Sequence, residues 1–450
     1  MAKKVIVLDV VGLSGKHFLD PANLPHMASL LQHDGHLTHL APCFPATTLP
    51  VQATMTTGTL PAAHGVVANG FYFPENFQIS FWEQAAGLVQ SERIWDRLKR
   101  KNSALNTALL FMQNSLYAQA ETIVTPKPMH TDDGLVQWCY SKPVGFYEQL
   151  RETLGEFELK NYWGPLASIE SSRWIARAAR ETLARMQPDL MFVYLPHLDY
   201  CTQKFGPDSP VVMEELLKVD QEVGSIIHAV DTMGLREDTV FLLLSEYAFY
   251  PVNGAVAINQ ILRSHDLLAV RTINGREYLD LELSPAFAMV DHQAAHIYIQ
   301  PGFKDAVMKT LQGKPGIDLL LAGNEEKKQY GILHQRCGDI VAVSAKNKWF
   351  SYYWWEDPEK APDFAGHIDI HRKPGYDPLE LFFDPKTFKI PQDTNLIRGS
   401  HGYPPSGPDD HVPLLISGTG SANILQRMPK LTDMADVAAL IEAILLADNK

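Results

Sequence analysis

Residues 44–58, FPATTLPVQATMTTG, place threonine hydroxyls where a loop turns into a helix. Thr47 or Thr48 suits the N-cap, Pro50 fits the opening turn and Gly58 suits the end. A hydroxyl at that point lies beside unpaired backbone N–H groups and the positive end of the helix dipole, which stabilise negative charge. Thr48 is therefore the candidate nucleophile. An alkoxide is too basic to form unaided at neutral pH, so Thr48 needs a base or a metal ion to take its proton. Without such help it is an ordinary helix cap.

Distant parts of the chain offer that help. Asp9 ends the apolar run KVIVLD (4–9), Asp199 ends DLMFVYLPHLD (189–199), Glu246 ends DTVFLLLSE (238–246), and His401 lies in GSHGY (399–403). Taken singly, each is ordinary: a strand-end acid caps the next helix, and a histidine beside glycine sits in a turn. Taken together with a hydroxyl, they are the oxygen and nitrogen donors of a Zn²⁺-type site. Two such ions about 4 Å apart clamp the attacking and leaving oxygens of an in-line phosphoryl displacement.

The elements that must carry these residues follow from the same runs. With ALNTALLF (104–111) and HVPLLISG (411–418), they read as buried parallel strands. Helical stretches lie between them at 171–186, capped by Ser171 or Ser172, and at 211–233. Alternating strands and helices predict an α/β fold, a mainly parallel sheet with helices on both faces. Ligands of such sheets gather beyond the carboxyl ends of the strands, where Asp9, Asp199 and Glu246 fall. Residues 251–395 break the rhythm with short aromatic and alternating stretches. They read as an inserted α+β cap subdomain, with the core formed by 1–250 and 396–450.

Composition bounds the function. A chain of 450 residues, 46% hydrophobic and 20% charged, packs a core and is not disordered. A net charge of −13 without a basic stripe excludes nucleic acid as a partner. Cys43, Cys139, Cys201 and Cys337 show no CxxC spacing and fit a reducing compartment. The N-terminal apolar run is too short for a signal peptide and no segment reaches membrane-span length, so a cytoplasmic protein without a membrane partner is expected. The oligomeric state is left open.

These residues resemble the type I phosphodiesterase/nucleotide pyrophosphatase family of the alkaline phosphatase superfamily. The similar stretches are VIVLDVVG with Asp9, FPATTLPVQATMTTGTLPAAHGVVANG with Thr48, LDYCTQKFGP with Asp199, VDQEVG (219–224), and GSHGY with His401. The TTL…TTG…P…HG block is specific; the other stretches carry weight through their order. The resemblance implies an alkaline-phosphatase-like fold and two divalent metal ions. Asp9 and Thr48 would hold the first, Asp199 and His401 the second. Zn²⁺ is expected, with Mn²⁺ or Mg²⁺ the alternatives that an oxygen-rich site suits.

The sequence also departs from the family's pattern. The family's Asp–His pair after the next strand falls on Glu246 and Tyr247, its histidine four residues beyond the strand-end Asp on Gln203, and its phosphate-holding Asn on Val51. His197, His292, His296 and the Asp369–His371 pair are candidates to replace the lost ligands. Asn69, His64 and Arg372, with Lys373 and Arg398 nearby, are candidates to contact substrate. Tyr352, Tyr353, Trp354 and Trp355 are expected to fill the core of the cap. The implied activity is hydrolysis of phosphodiester or pyrophosphate bonds in a small, nucleotide-like substrate through a phospho-threonine on Thr48. The alternatives are a monoesterase, phosphonate hydrolase or phosphoryl transferase on the same fold, or a ligand-binding or scaffold protein with an eroded metal site.

Overall fold

The apolar runs become strands because each is buried on both faces and so carries no polar alternation. The computed structural model describes residues 4–132, 134–428 and 431–446. In chain order the principal strands are β1 (Lys4–Val10), β2 (His36–Leu40), β3 (Thr107–Leu110), β4 (Thr122–Pro126), β5 (Cys139–Lys142), β6 (Leu190–Leu195), β7 (Thr239–Leu244), β8 (Ala286–Asp291), β9 (Ala294–Ile299), β10 (Ile317–Leu321), β11 (Ile340–Ser344) and β12 (Val412–Ser417). The principal helices are α1 (Thr48–Thr57), α2 (Ile169–Met186), α3 (His197–Phe205), α4 (Pro210–Thr232) and α5 (Asp436–Leu445).

The central sheet has the order β2-β12-β7-β1-β6-β3-β4-β5. Its middle, β7-β1-β6-β3-β4, is parallel throughout. All residues of β6 and β7 are buried, and α2 packs on β6 and β3 while α5 packs on β1 and α1. The predicted mainly parallel α/β fold is the one observed.

Some local expectations change. Residues 411–418 form β12, which runs antiparallel to β7. The chain leaves β7 at the carboxyl edge of the sheet and comes back to that edge at His401, so its next strand must run the other way. An apolar run buried on both faces does not encode its direction. Helix α2 begins at Ile169 with Ser168 at its N-cap, so Ser171 and Ser172 lie inside the helix and are buried. Helix α4 begins at Pro210, where Ser209 Oγ accepts the Val211 N–H at 3.3 Å.

A second, four-stranded antiparallel sheet, β8-β9-β11-β10, lies in the segment 286–344. Its core includes Trp349, Phe350, Tyr352, Tyr353, Trp354 and Trp355, so the aromatic run is indeed interior. Ile79 and Phe81 join that core from the segment after α1. The strand Tyr250–Pro251 pairs with Gly399–Ser400, which brings together the points where the chain leaves the central sheet and returns to it. The β8–β9 hairpin turns at His292, whose φ of 59° lies in the left-handed region.

Candidate active site

Asp9 is the last residue but one of β1, paired in register with Tyr194 on β6 and Leu244 on β7. That register places the next residues of β6 and β7 at the same edge. Asp199 follows in the first turn of α3, and Glu246 lies two residues beyond β7. Helix α1 opens at this edge with Thr47 at the N-cap and Thr48 as its first residue. All ten residues of α1 are buried, which fixes the Thr48 hydroxyl in an interior site.

On one side of Thr48 lie two carboxyls joined by an amide. Gln52, one turn along α1, donates through Nε2 to Glu246 Oε1 at 2.7 Å and to Asp9 Oδ2 at 3.3 Å. Its Oε1 accepts the Gln113 N–H at 2.8 Å, which sets the amide's orientation. The other oxygens, Asp9 Oδ1 and Glu246 Oε2, are buried without a hydrogen-bond partner among the described residues. Burial raises both carboxyls, Glu246 well above the usual range and further because Asp9 lies beside it within hydrogen-bonding reach. The Thr48 hydroxyl is within hydrogen-bonding reach of Glu246.

On the other side, Tyr247 stands between Thr48 and Asp199. Its hydroxyl is 3.1 Å from Thr48 Oγ1 and donates to Asp199 Oδ1 at 3.1 Å. Gln203 Nε2 donates to Asp199 Oδ2 at 2.7 Å, and Gln203 Oε1 accepts the Tyr376 hydroxyl at 2.9 Å. Burial raises Asp199 to about 6. His401 Nδ1 donates to the Ala46 carbonyl at 2.8 Å, leaving the Nε2 lone pair 3.6 Å from Asp199 Oδ1. Burial holds His401 neutral, well below the usual histidine range. Its ring is sandwiched between Tyr247, at 3.6 Å and 5°, and His292, at 3.8 Å and 36°. His292 stacks in turn on Tyr376, at 3.8 Å and 20°.

The five principal sequence candidates, Asp9, Thr48, Asp199, Glu246 and His401, thus share one buried site with Gln203, Tyr247 and His292. Asn69 lies at its margin. Its Oδ1 accepts the Leu49 N–H at 2.9 Å and its Nδ2 donates to Asp291 Oδ1 at 3.1 Å, so it braces α1 instead of offering a free donor to phosphate. Asp291 in turn bonds His292 Nδ1 at 2.8 Å.

Other candidates are engaged elsewhere. His197 does not share a face with Asp199, because β6 ends at Leu195 and both residues lie on α3; His197 Nε2 pairs with Glu215 Oε2 at 2.6 Å. His64 Nε2 donates to Thr54 Oγ1 at 3.0 Å, and His296 Nε2 donates to the Val67 carbonyl at 3.0 Å. Arg372 is exposed and pairs with Asp369 and, at 2.9 Å, with Asp363, while His371 is exposed beside it. Lys373 is buried between Asp377, at 2.8 Å, and Glu380, at 2.7 Å. Val51 is a core residue of α1, and Arg398 is exposed. Sequence reasoning missed Gln52 and Tyr376. Gln52 had a signal, because the residue four beyond a helical nucleophile lies on the same face. Tyr376 reaches the site only through the tertiary fold.

Among the described residues, no group of three or more His, Cys, Asp or Glu side chains is arranged to hold a metal ion. The side with Asp9, Glu246 and the Thr48 hydroxyl still fits an oxygen-liking divalent cation, because two buried carboxyl oxygens there lack partners. The two sides together do not fit a pair of ions, since a phenol and an amide N–H occupy positions where the resemblance places imidazoles.

Comparison with known proteins bears on the family and the fold. The sequence model of the family described as Type I phosphodiesterase / nucleotide pyrophosphatase matches residues 5–377. An uncharacterized pyrophosphatase/phosphodiesterase of Schizosaccharomyces pombe is 23% identical over 261 residues, 55% of this chain and 45% of that protein. A bis(5'-adenosyl)-triphosphatase of Mus musculus is 23% identical over 241 residues, 51% of this chain and 44% of that protein. Each match therefore spans less than half of the relative's length. Among solved structures, an inactive variant of murine ectonucleotide pyrophosphatase/phosphodiesterase 5 in complex with AMP has a TM-score of 0.60 at 17% identity, covering 98% of this chain and 95% of that one. Phosphonoacetate hydrolase from Sinorhizobium meliloti, in complex with phosphonoformate, has a TM-score of 0.61 at 15% identity, covering 98% and 96%. No helix among the described residues is long and apolar enough to cross a membrane.

Proposed function

The chain belongs to the type I phosphodiesterase/nucleotide pyrophosphatase family, and from that premise we propose that it hydrolyses phosphodiester or pyrophosphate bonds of a small, nucleotide-like substrate through Thr48. One observation carries the reading: the Thr48 hydroxyl opens a buried helix beside two adjacent buried carboxyls whose outer oxygens have no N–H donor among the described residues. Buried unpaired polar groups are costly and persist where a ligand completes them.

Thr48 Oγ1 attacks phosphorus in line. The new Oγ1–P bond forms as the bond to the leaving oxygen breaks, and that oxygen takes up a proton. Water then attacks the same phosphorus, the Oγ1–P bond breaks, Thr48 Oγ1 takes a proton from that water, and the substrate's remaining half departs as a phosphomonoester. The α1 N-terminus stabilises charge on the phosphoryl oxygens. Tyr247 holds the hydroxyl of Thr48 in place, and its own position is fixed by Asp199. Asp9, Glu246 and Thr48 would hold a divalent cation, Zn²⁺, Mn²⁺ or Mg²⁺, which supplies positive charge that eases ionisation of the hydroxyl. Residues 251–395 are proposed to act as a cap over this edge, since the β8–β9 hairpin delivers His292 to the site.

The test is a substrate panel of p-nitrophenyl phosphodiesters, dinucleoside polyphosphates, monoesters and phosphonates, run with added Mn²⁺ or Zn²⁺. Acid quenching should trap a phosphoryl group on Thr48, located by peptide mass. Turnover unchanged in Thr48→Ala would remove Thr48 from the reaction. A second reading, a binding protein for phosphate esters without turnover, is favoured by the bonds that Gln203 and Tyr247 make to Asp199. Saturable AMP binding with no turnover under any metal would select it.

A further inference from the structure

The two sides of the site make different provision for a cation. On the Asp9–Glu246 side, Gln52 donates to one oxygen of each carboxyl, and Asp9 Oδ1 and Glu246 Oε2 have no N–H donor among the described residues, the two carboxyls lying within hydrogen-bonding reach of each other. On the Asp199 side, both carboxylate oxygens are already bonded, Oδ1 to the Tyr247 hydroxyl and Oδ2 to the Gln203 amide.

We propose, building on the catalytic reading above, that the site takes one divalent cation per chain, held by Asp9, Glu246 and Thr48, and that Tyr247 and Gln203 close the Asp199 side to a second. The orientation of Gln203 is set by its neighbours. Tyr376 donates to its carbonyl at 2.9 Å, so its NH₂ must face Asp199. Turning the amide over would set its carbonyl against a carboxylate and strip Tyr376 of an acceptor. An amide NH₂ offers donors only and cannot ligate a cation.

Tyr247 is equally fixed. Its ring is buried, lies flat on His401 at 3.6 Å, and sets its hydroxyl between Thr48 and Asp199, in the gap between the two sides. Asp199 and His401 are then the ligands left on that side, fewer than the three protein ligands a catalytic divalent site uses.

His292 is the side chain nearest to making a third, since its Nε2 is buried without a partner among the described residues. The stack opposes it. An imidazole lone pair lies in the ring plane, so a shared ion must lie in both planes, about 2.0–2.1 Å from each nitrogen. The His292 and His401 rings are stacked 3.8 Å apart and tilted by 36°, an arrangement that disfavours two in-plane lone pairs meeting on one ion.

The experiment counts metal. The full chain is stripped with chelator, dialysed against Mn²⁺ or Zn²⁺, and assayed by elemental analysis and titration calorimetry, with circular dichroism to check folding. One ion per chain is expected. It should be lost in Asp9→Asn and in Glu246→Gln and kept in Asp199→Asn. The double variant Gln203→His with Tyr247→His should raise the count twofold.

Two ions in the unaltered chain would overturn the inference and leave the catalytic reading standing. An ion kept in both folded acid variants at the first side but lost in Asp199→Asn would overturn the placement. A double variant that is folded but stays at one ion would show that other groups close the second side, and would overturn the role given to Tyr247 and Gln203. No bound ion in the unaltered chain overturns both the inference and the cation in the catalytic reading. One ion without turnover on any substrate fails the catalytic reading alone.

Discussion

Two clusters of buried polar groups flank Thr48, and they are satisfied in opposite ways. The Asp9–Glu246 cluster shares a single amide between two carboxyls and leaves two oxygens open. In the Asp199 cluster, a phenol and a second amide take both carboxylate oxygens, and the unpartnered atoms are instead the Nε2 nitrogens of the stacked His401 and His292. The difference teaches that burial of acids does not by itself mark a reactive site. What marks it is the carboxylate valence left open after the protein has bonded its own groups.

That contrast can be broken or sharpened by experiment. The largest effect is expected from Thr48→Ala, which should lower kcat by roughly 10³-fold or more, as for loss of other catalytic nucleophiles; steady-state kinetics on the best panel substrate measures it. Tyr247→Phe tests the closed side. Removing the hydroxyl frees Thr48 and uncovers Asp199 Oδ1, and kcat should fall by about 10–100-fold, the range of a lost positioning contact, with KM nearly unchanged.

Gln52→Leu tests the open side. Two adjacent carboxyls lose their shared donor, so chemical denaturation should show a loss of about 1–3 kcal/mol, and added Mn²⁺ should restore part of it. A variant as stable as the parent would show that Gln52 does not organise this pair.

A further effect concerns acid. Burial lowers His64 to about 3 and His17 and His296 to about 4, against about 6.5 in an unfolded chain. The folded state therefore binds fewer protons, so the stability these residues contribute is complete above about 6.5 and is lost as pH falls toward their folded values. Because the raised Asp9, Asp199 and Glu246 carboxyls act in the opposite sense over the same range, the check is a comparison: between pH 6.5 and 4, His296→Gln should lose less melting temperature than the parent. The smallest effect is expected from Arg372→Ala. Its guanidinium is exposed and already paired with Asp363 and Asp369, so kcat/KM should stay within about twofold and stability within about 0.5 kcal/mol.

Much of this contrast is legible in the order of residues alone, and the part that is not has physical causes. Asp9, Asp199 and Glu246 are readable because apolar runs buried on both faces end abruptly in acids, and parallel strands bring those ends to one edge. Thr48 is readable from the loop-to-helix pattern and the specific block around it. The direction of β12 is hidden because its apolar run carries no sense of polarity. His197 is misaligned with Asp199 because the strand ends at Leu195, and a strand–helix boundary shifts side-chain directions by more than a residue count reveals. Gln203 and Tyr247 stand out as departures, but their bonds to Asp199 depend on Tyr376 and His401, which the chain supplies from far away.

The short pairing of Tyr250–Pro251 with Gly399–Ser400 has an engineering consequence. A segment that departs and rejoins through adjoining strands can change length in its outer loops without shifting the register of the main sheet. An exchange with a relative that leaves Asp9, Thr48 and Glu246 in place would have to match Ile79 and Phe81, which complete the segment's core. The exchange would also have to carry over His292 and Tyr376, through which the segment reaches back to the chemistry.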